Sequence, residues 1–210
     1  MLTTSCKKET TNSTTLKDFE GNAYKTVTIG TQIWMAENLK TIFFNDGIAI
    51  PLVTDNSAWG ALNTPAYSWY NNDAASNKDT YGTLYNWYTI NSGKICPTGW
   101  HVPTDAEWTT LTAFTGVDTI AGAKLKETSF THWLSPNTGA TNEFSFTALP
   151  GGYRTETGVY FGIQNYGYWW NSTENNTVSA WNRSMSYGSR GVSRNGSFKQ
   201  TGFSLRCVKN

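Results

Sequence analysis

Three cysteines, two histidines and fifteen carboxylates are the reactive side chains of this 210-residue chain. With Cys6 set aside, Cys96 and Cys207 form an even pair, and in an oxidising compartment they are expected to join as a disulfide. Such a bridge closes a long loop, for which chain entropy gives about 4–5 kcal/mol; two buried free thiols are the alternative. His101 and His132 lack the ligand spacing that zinc needs. No Ser-His-Asp set assembles around them, so catalysis is not expected. His101, between Trp100 and Val102, reads as a core or hydrogen-bonded histidine, and His132, beside Trp133, as a loop residue. Glu107 and Glu37 read as cap and turn partners. Asn137, Thr138, Asn142 and Glu143 form an oxygen-rich cluster without the acidic density of a tight calcium site. No metal or other cofactor is therefore expected, calcium being the one left open.

A second chemistry is spread rather than concentrated. From Asn171 to Thr201 the chain is dominated by Asn, Ser, Arg, Tyr and Gly, with Arg183, Arg190, Arg194 and Lys199 set against Glu174. Those side chains supply adaptable hydrogen bonds and ring area at low entropy cost. Residues 181–187 alternate, so Trp181 and Met185 can enter a core while Asn182, Ser184 and Ser186 face outward. Trp169 and Trp170 are neighbours in a strand, one expected in the core and the other, Trp170, exposed. The candidate ligand-binding residues are Trp170, Asn182, Ser184, Ser186, Ser189, Arg190, Ser193, Asn195 and Ser197. The alternative is an ordinary solvated sheet edge.

The bulk numbers agree with a surface of this kind. Net charge is +1, so neither nucleic acid nor an anionic membrane is drawn electrostatically. Charged and aromatic residues each make up 15%, with ten Trp, which suits a loop-rich, β-rich extracellular protein. No run of eighteen apolar residues exists to span a bilayer. Cys6, in Thr4-Ser5-Cys6-Lys7, resembles the end of a bacterial lipoprotein signal, with a small residue before the cysteine to be lipidated. The charged and apolar segments of such a signal do not precede it here, and a stray cysteine is the alternative. Residues 1–16 read as a lipoprotein-like tail and flexible tether, and 17–210 as one domain.

The elements that must position these residues follow. Residues 24–35 read as an opening β-hairpin broken at Gly30-Thr31, followed by one helical turn at Ala36–Leu39. Leu84, Trp87 and Tyr88 have helical spacing. Thr104-Asp105-Ala106-Glu107 is a capping box after Pro103, starting a helix whose face is Trp108, Leu111 and Phe114 and whose end lies near Gly116. A second helix is expected over Ile120–Glu127. Phe144–Leu149 reads as a strand and Pro150–Arg154 as a tight bend. Strands follow at Tyr168–Thr173 and 181–187, then a hairpin turn at Asn195-Gly196, and a closing strand through Phe203, Leu205 and Cys207.

Several blocks carry a family resemblance. They are Asp18–Val27, Trp34–Lys40, Tyr81–Tyr88, Cys96–Thr104, Leu149–Arg154 and Tyr168–Trp170. In this order they resemble the Fibrobacter succinogenes major paralogous domain, from about Asp18 to the C-terminus. The resemblance implies export, often with a lipid anchor, in Gram-negative bacteria, and a fold rather than an activity. Val102–Trp108 with Gly202-Phe203 and Arg206-Cys207 are more thinly similar to the formylglycine-generating, sulfatase-modifying enzymes and to C-type lectins. That implies an α+β, C-type-lectin-like fold with twisted antiparallel sheets, two or three short helices and long loops. Those enzymes use reactive cysteines upstream of the closing strand, and Trp181–Thr201 contains none.

The expectation is a lipid-anchored recognition module at the outer membrane, cell surface or periplasm, secreted if Cys6 is unmodified. Its partner would be an extracellular glycan or protein. Lectin-like domains also serve as hypervariable targets of diversity-generating retroelements, and residues 171–200 have that composition. A structural or adhesive surface protein is the third reading, and a formylglycine-generating-like enzyme the least favoured.

Overall fold

The structure, a computed structural model, describes residues 15–210. Cys6 and most of the expected tether lie outside the described residues. Leu16 and Lys17 are already in the fold, as strand β1 paired with β2 (Ala23–Tyr24). β3 (Thr26–Ile29) and β4 (Gln32–Met35) form the expected hairpin, turned by Gly30 at φ 60°.

The middle of the chain is short pieces and loops. Helix α1 (Asn56–Gly60) precedes β5 (Tyr67–Ser68), and α2 (Ala74–Tyr81) precedes β6 (Leu84–Tyr85) and α3 (Trp87–Ile90). The helix read through Leu84 therefore begins later. Leu84 and Tyr85 pair with β5, and Asn86 caps α3 by accepting from the Thr89 N–H. Ala36–Leu39 forms no helical turn. It runs beside the C-terminal segment, with Met35 and Leu39 donating to the carbonyls of Cys207 and Leu205.

β7 (Trp100–His101) leads into α4 (Asp105–Thr115), capped as its residues demand. Thr104 Oγ1 accepts from the Glu107 N–H, and Glu107 Oε2 accepts from the Thr104 N–H at 2.7 Å. Trp108 and Leu111 are buried, but Phe114 is exposed; Thr112 and Thr115 complete the inner face instead, each bonding a preceding carbonyl. α5 (Asp118–Leu125) follows directly.

Phe144–Leu149 is not a strand. Its alternation does bury Phe146 and Ala148, but Ser145 and Thr147 have φ 55°, which no ladder accepts. Buried Arg206 takes the freed carbonyls of Phe146 and Thr147 instead. The Pro150–Arg154 bend is likewise a strand, β8 (Gly151–Arg154), followed by β9 (Tyr160–Ile163), β10 (Tyr166–Glu174), β11 (Ser179–Ser186), β12 (Ser193–Phe198) and β13 (Val208–Lys209). Asn195-Gly196 lies inside β12, not at a turn. Gly196 pairs with Trp181, and a Cβ there would meet Asn175 Nδ2 at 2.6 Å. That atom ends an exposed side chain that can move, and Gly196 has no positive φ, so neither feature requires glycine here.

Two sheets organise the α+β fold. One has the order β3-β4-β13-β7 and joins the chain end to the opening hairpin through Val208, opposite both Trp34 and His101. The Cys96–Cys207 disulfide, across 111 residues, staples the segment before β7 to the segment before β13. The other sheet has the order β12-β11-β10-β8-β9, with only the β8–β10 contact parallel. Trp34, Trp108 and Trp169 meet between α4 and the back of this sheet, Trp34 and Trp108 5.0 Å apart. Phe203, Leu205 and Cys207 sit in a second core with Tyr85, Trp87 and Trp170. No helix among the described residues is long and apolar enough to cross a membrane.

Thr104→Ala is expected to cost about 1 kcal/mol through loss of the cap, read as a shifted urea midpoint. Burial presses the Glu107 carboxyl upward. The Thr104 N–H, the His101 ring and the Thr104 hydroxyl outweigh it and hold the group below the usual glutamate value. Its contribution is thus complete above that ordinary value and is lost as pH falls through the lowered one.

Candidate functional site

Register decides which side chains share a face. Tyr166, Tyr168 and Trp170 of β10 lie opposite Ser186, Ser184 and Asn182 of β11, and the last two lie opposite Ser193 and Asn195 of β12. Ser197 follows, opposite Ala180. Seven of the nine candidate residues therefore stand on one face, as strand alternation requires. Ser189 and Arg190 lie in the exposed turn that joins β11 to β12.

Two of the seven do not reach solvent. Trp170 is 0% exposed, packed on Phe203 at 4.6 Å, with Nε1 donating to the Tyr85 carbonyl. Asn182 is also fully buried and donates to the Asn195 carbonyl and Ser197 Oγ. Trp170 is covered by Phe203 and the strand through Tyr85, and Asn182 is enclosed by Trp170 opposite it and by Asn195 and Ser197 of β12, none of which a single strand's pattern shows. Trp169, on the opposite face, is equally buried, so neither tryptophan of the pair is exposed. Ser184 is nearly covered and accepts from Asn195 Nδ2. Ser189, Arg190, Ser193 and Asn195 are exposed, and Ser186 and Ser197 half-buried.

Ser189, Ser193 and Asn195 border a trough with two lobes. One, of about 530 Å³, is lined by Tyr153, Tyr168, Phe203, Asn195, Ser197 and Phe198 among others, with Glu156 on its wall. The second, of about 270 Å³, holds Tyr166, Ser184, Ser186, Ser189 and Ser193, and meets the first at Tyr168 and Asn195. Tyr168 stacks on Phe203 at 4.9 Å and 9°, and Tyr153 leans on Tyr168 at 4.9 Å. Tyr166, Phe161 and Phe198 stand 38%, 52% and 51% exposed around this floor. The rings were not among the candidates. The signal for them was the alternation Tyr166, Tyr168, Trp170 in the same strand.

Gly167, between two of those tyrosines, lies opposite Gly152 of β8. A Cβ on Gly167 would fall 2.3 Å from the Trp169 ring, so the floor can lie close to the core only with glycine there. Burial, with Tyr153 and Tyr166 nearby, pushes the Tyr168 phenol up to about 12. Burial and then Glu156 raise Tyr153 as well. Both rings thus offer neutral hydroxyls throughout the ordinary pH range.

The basic excess of residues 171–201 is largely spent internally. Arg183 lies on the back face, 2% exposed, with Nη1 3.0 Å from Asp105 Oδ1 and Nη2 donating to Thr109 Oγ1. Arg194 stacks on Trp181 at 3.3 Å and pairs with the same Asp105. Lys199 pairs with Glu174. Arg190 is the one of the four with no acidic partner among the described residues, and it stands at the tip of the β11–β12 turn.

Fully buried Lys126 holds that turn from beneath. Its Nζ donates to the carbonyls of Ser186 at 2.9 Å, Ser189 at 2.8 Å and Thr138 at 3.3 Å, and lies 5.3 Å over the Trp133 ring. Burial pulls its pKa down from 10.5 to about 8. The unfolded chain therefore holds this proton more tightly, and stability rises with pH between the folded and unfolded values. In urea melts from neutral pH to about pH 9.5, wild type should gain stability relative to Lys126→Met. Parallel profiles would refute this.

His101 and His132 are structural. His101 bridges Glu107 Oε1 at 2.8 Å and Asn210 Oδ1 at 2.7 Å, while His132 contacts Glu127 and the edge of Tyr81. In the oxygen-rich cluster, Asn137 donates to the Glu127 carbonyl, Asn142 bonds Thr147, and Glu143 pairs with Lys124. Among the described residues no three His, Cys, Asp or Glu side chains gather as a metal site.

No curated protein and no solved structure matches the chain. The family model of the Fibrobacter succinogenes major domain matches residues 27–209, from β3 to β13 and so across both sheets and the trough, and the chain belongs to that family.

Proposed function

We propose that this protein is an exported recognition module, anchored by lipid on Cys6, that binds an extracellular ligand in the trough on its C-terminal sheet. The observation that carries the reading is one sheet face with a tyrosine and phenylalanine floor and a rim of serine and asparagine. Hydroxyls, amides and rings serve hydrogen bonding and contact rather than nucleophilic attack or proton transfer, which favours binding over catalysis. The floor rests on a disulfide-tied, tryptophan-packed frame, so little ordering is needed on binding. The disulfide itself supports an oxidising compartment. An early hairpin, β3-β4, joined in one small sheet to the late strand β13, long loops and an open second sheet favour a C-type-lectin-like architecture.

A second reading has its own support. Ser189, Arg190, Ser193 and Asn195 are exposed, so their identities can vary without disturbing the core. That suits a hypervariable target of a diversity-generating retroelement. A reverse transcriptase beside the gene with a near-duplicate of its 3′ end would support it, and a locus lacking both would overturn it.

The test of recognition uses the full chain on printed arrays of oligosaccharides and of peptides, beside Tyr166→Ala and Asn195→Ala variants. Binding on either array that both variants weaken supports the reading. No binding, or binding the variants leave intact, overturns it. For the anchor, mass spectrometry of the protein from its host should show acyl mass on Cys6.

A further inference from the structure

We infer that the ligand of the trough is an uncharged, extended oligosaccharide, held by ring stacking and hydroxyl hydrogen bonds without a metal ion. This rests on the recognition reading above. Three observations carry it.

The first is charge. Among the side chains that line the two lobes there is one carboxylate, Glu156, and no lysine or arginine, too little acidic density for a tight calcium site. Arg183 and Arg194 point to the back face and are held by Asp105, and Lys199 is held by Glu174. Arg190, in the β11–β12 turn, lines neither lobe and lies against Gly139, where a Cβ would meet its Nε at 3.1 Å. A phosphate, a uronic acid or an acidic peptide finds no cation to pair with along the floor. A basic peptide finds one carboxylate at one end. Complementarity across an interface demands matched charge, and here the match is to none.

The second is shape. The lobes follow β12 from Ser193 to Phe198, about 17 Å at a strand's rise. An open trough of that length takes a chain lying along it rather than a compact small molecule.

The third is the kind of polar group on offer, and it separates sugar from peptide. A peptide brings a backbone N–H and C=O at every residue, and these are best met by a sheet edge. The lobes open on a face, where the facing stretches of β10 and β11 spend their backbone groups on each other and on β12; the sheet's free edge on that side is the outer side of β12, so a peptide strand added there would lie beside the trough and not in it. What projects from the face is Ser184, Ser186, Ser193, Asn195 and Ser197, all both donor and acceptor. A sugar hydroxyl is likewise both. Its C–H faces suit the rings of Tyr166, Tyr168 and Phe198, which offer area with few rotatable bonds.

The experiment uses the full chain on printed neutral oligosaccharides, acidic oligosaccharides and peptides, with and without a chelator and with added salt. Tyr166 and Asn195 are surface residues, and matching circular dichroism and melting curves would confirm that the Tyr166→Ala and Asn195→Ala variants fold. Binding to neutral oligosaccharides is expected, insensitive to chelator and to salt, and each variant should weaken it about five- to tenfold. Variant-sensitive binding confined to peptides or acidic glycans would overturn the ligand class while leaving recognition standing. Loss on chelation would overturn the metal-free mode. Neutral glycans bound equally by both variants would overturn the trough as their site. Silence on every array would overturn this inference and the recognition reading together.

Discussion

Removing the Cys96–Cys207 bridge, as Cys96→Ala/Cys207→Ala, should cost this domain about 5 kcal/mol. The bridge spans 111 residues, and closing a loop of that size removes about that much entropy from the unfolded chain. Folded domains have only about 5–15 kcal/mol of stability in hand. The loss should therefore appear as a large fall in the urea midpoint. A reduced wild-type protein should fall similarly. Position makes the effect structural as well as entropic. Cys207 immediately precedes β13, the strand that holds β4 and β7 together, and Phe203 and Leu205 just before it underlie the trough. A double variant within about 1 kcal/mol of wild type would mean that packing of the closing segment alone sets the unfolded-to-folded gap.

Asp105→Ala should cost about 3 kcal/mol, far more than an ordinary helix-surface change. Asp105 opens α4, and its carboxylate accepts from Arg194 Nε and Asn171 Nδ2 while lying against Arg183. Arg183 is 2% exposed, and burial already lowers its pKa against the pull of Asp105. Without Asp105 a buried guanidinium keeps its charge and loses its counter-ion, a change that costs about 3–5 kcal/mol in general. Its remaining bonds to the Asp105 carbonyl and Thr109 hydroxyl place the figure at the lower end. A double variant, Asp105→Ala/Arg183→Met, removes the stranded charge and should recover part of the loss. Additive losses in that cycle would refute the account. Arg183 pairs with Trp169 and Arg194 across the sheet, so the same variant should also loosen the strands whose other face forms the trough.

Much of the frame was legible from local rules. The capping box at Thr104–Glu107, the hairpin around Gly30, the helix over 118–125 and the alternation of 181–187 each arise from neighbours a few residues apart. The disulfide followed from the cysteine count. Local rules misread Asn195-Gly196, a hairpin signature that the ladder with Trp181 and Asn182 of β11 holds in a strand. They also misread Phe144–Leu149, where burial at alternate residues was obtained with left-handed backbone and arginine-held carbonyls instead of a ladder.

The sequence by itself determined which residues share a strand face, because side-chain alternation in an extended chain needs no tertiary information. It also determined the family, the cross-link and the polar, ring-rich character of the last forty residues. Only the tertiary structure decided which part of that face meets solvent. Trp170 and Asn182 have the same alternation as Tyr166 and Ser186, but Phe203 and the strand through Tyr85 cover Trp170, and Asn195 and Ser197 of β12 enclose Asn182. Likewise two of the three arginines read as a basic surface, Arg183 and Arg194, are paired with Asp105, 78 and 89 residues away in the chain. Burial and charge pairing depend on what lies across space, and no pattern along the chain carries that distance.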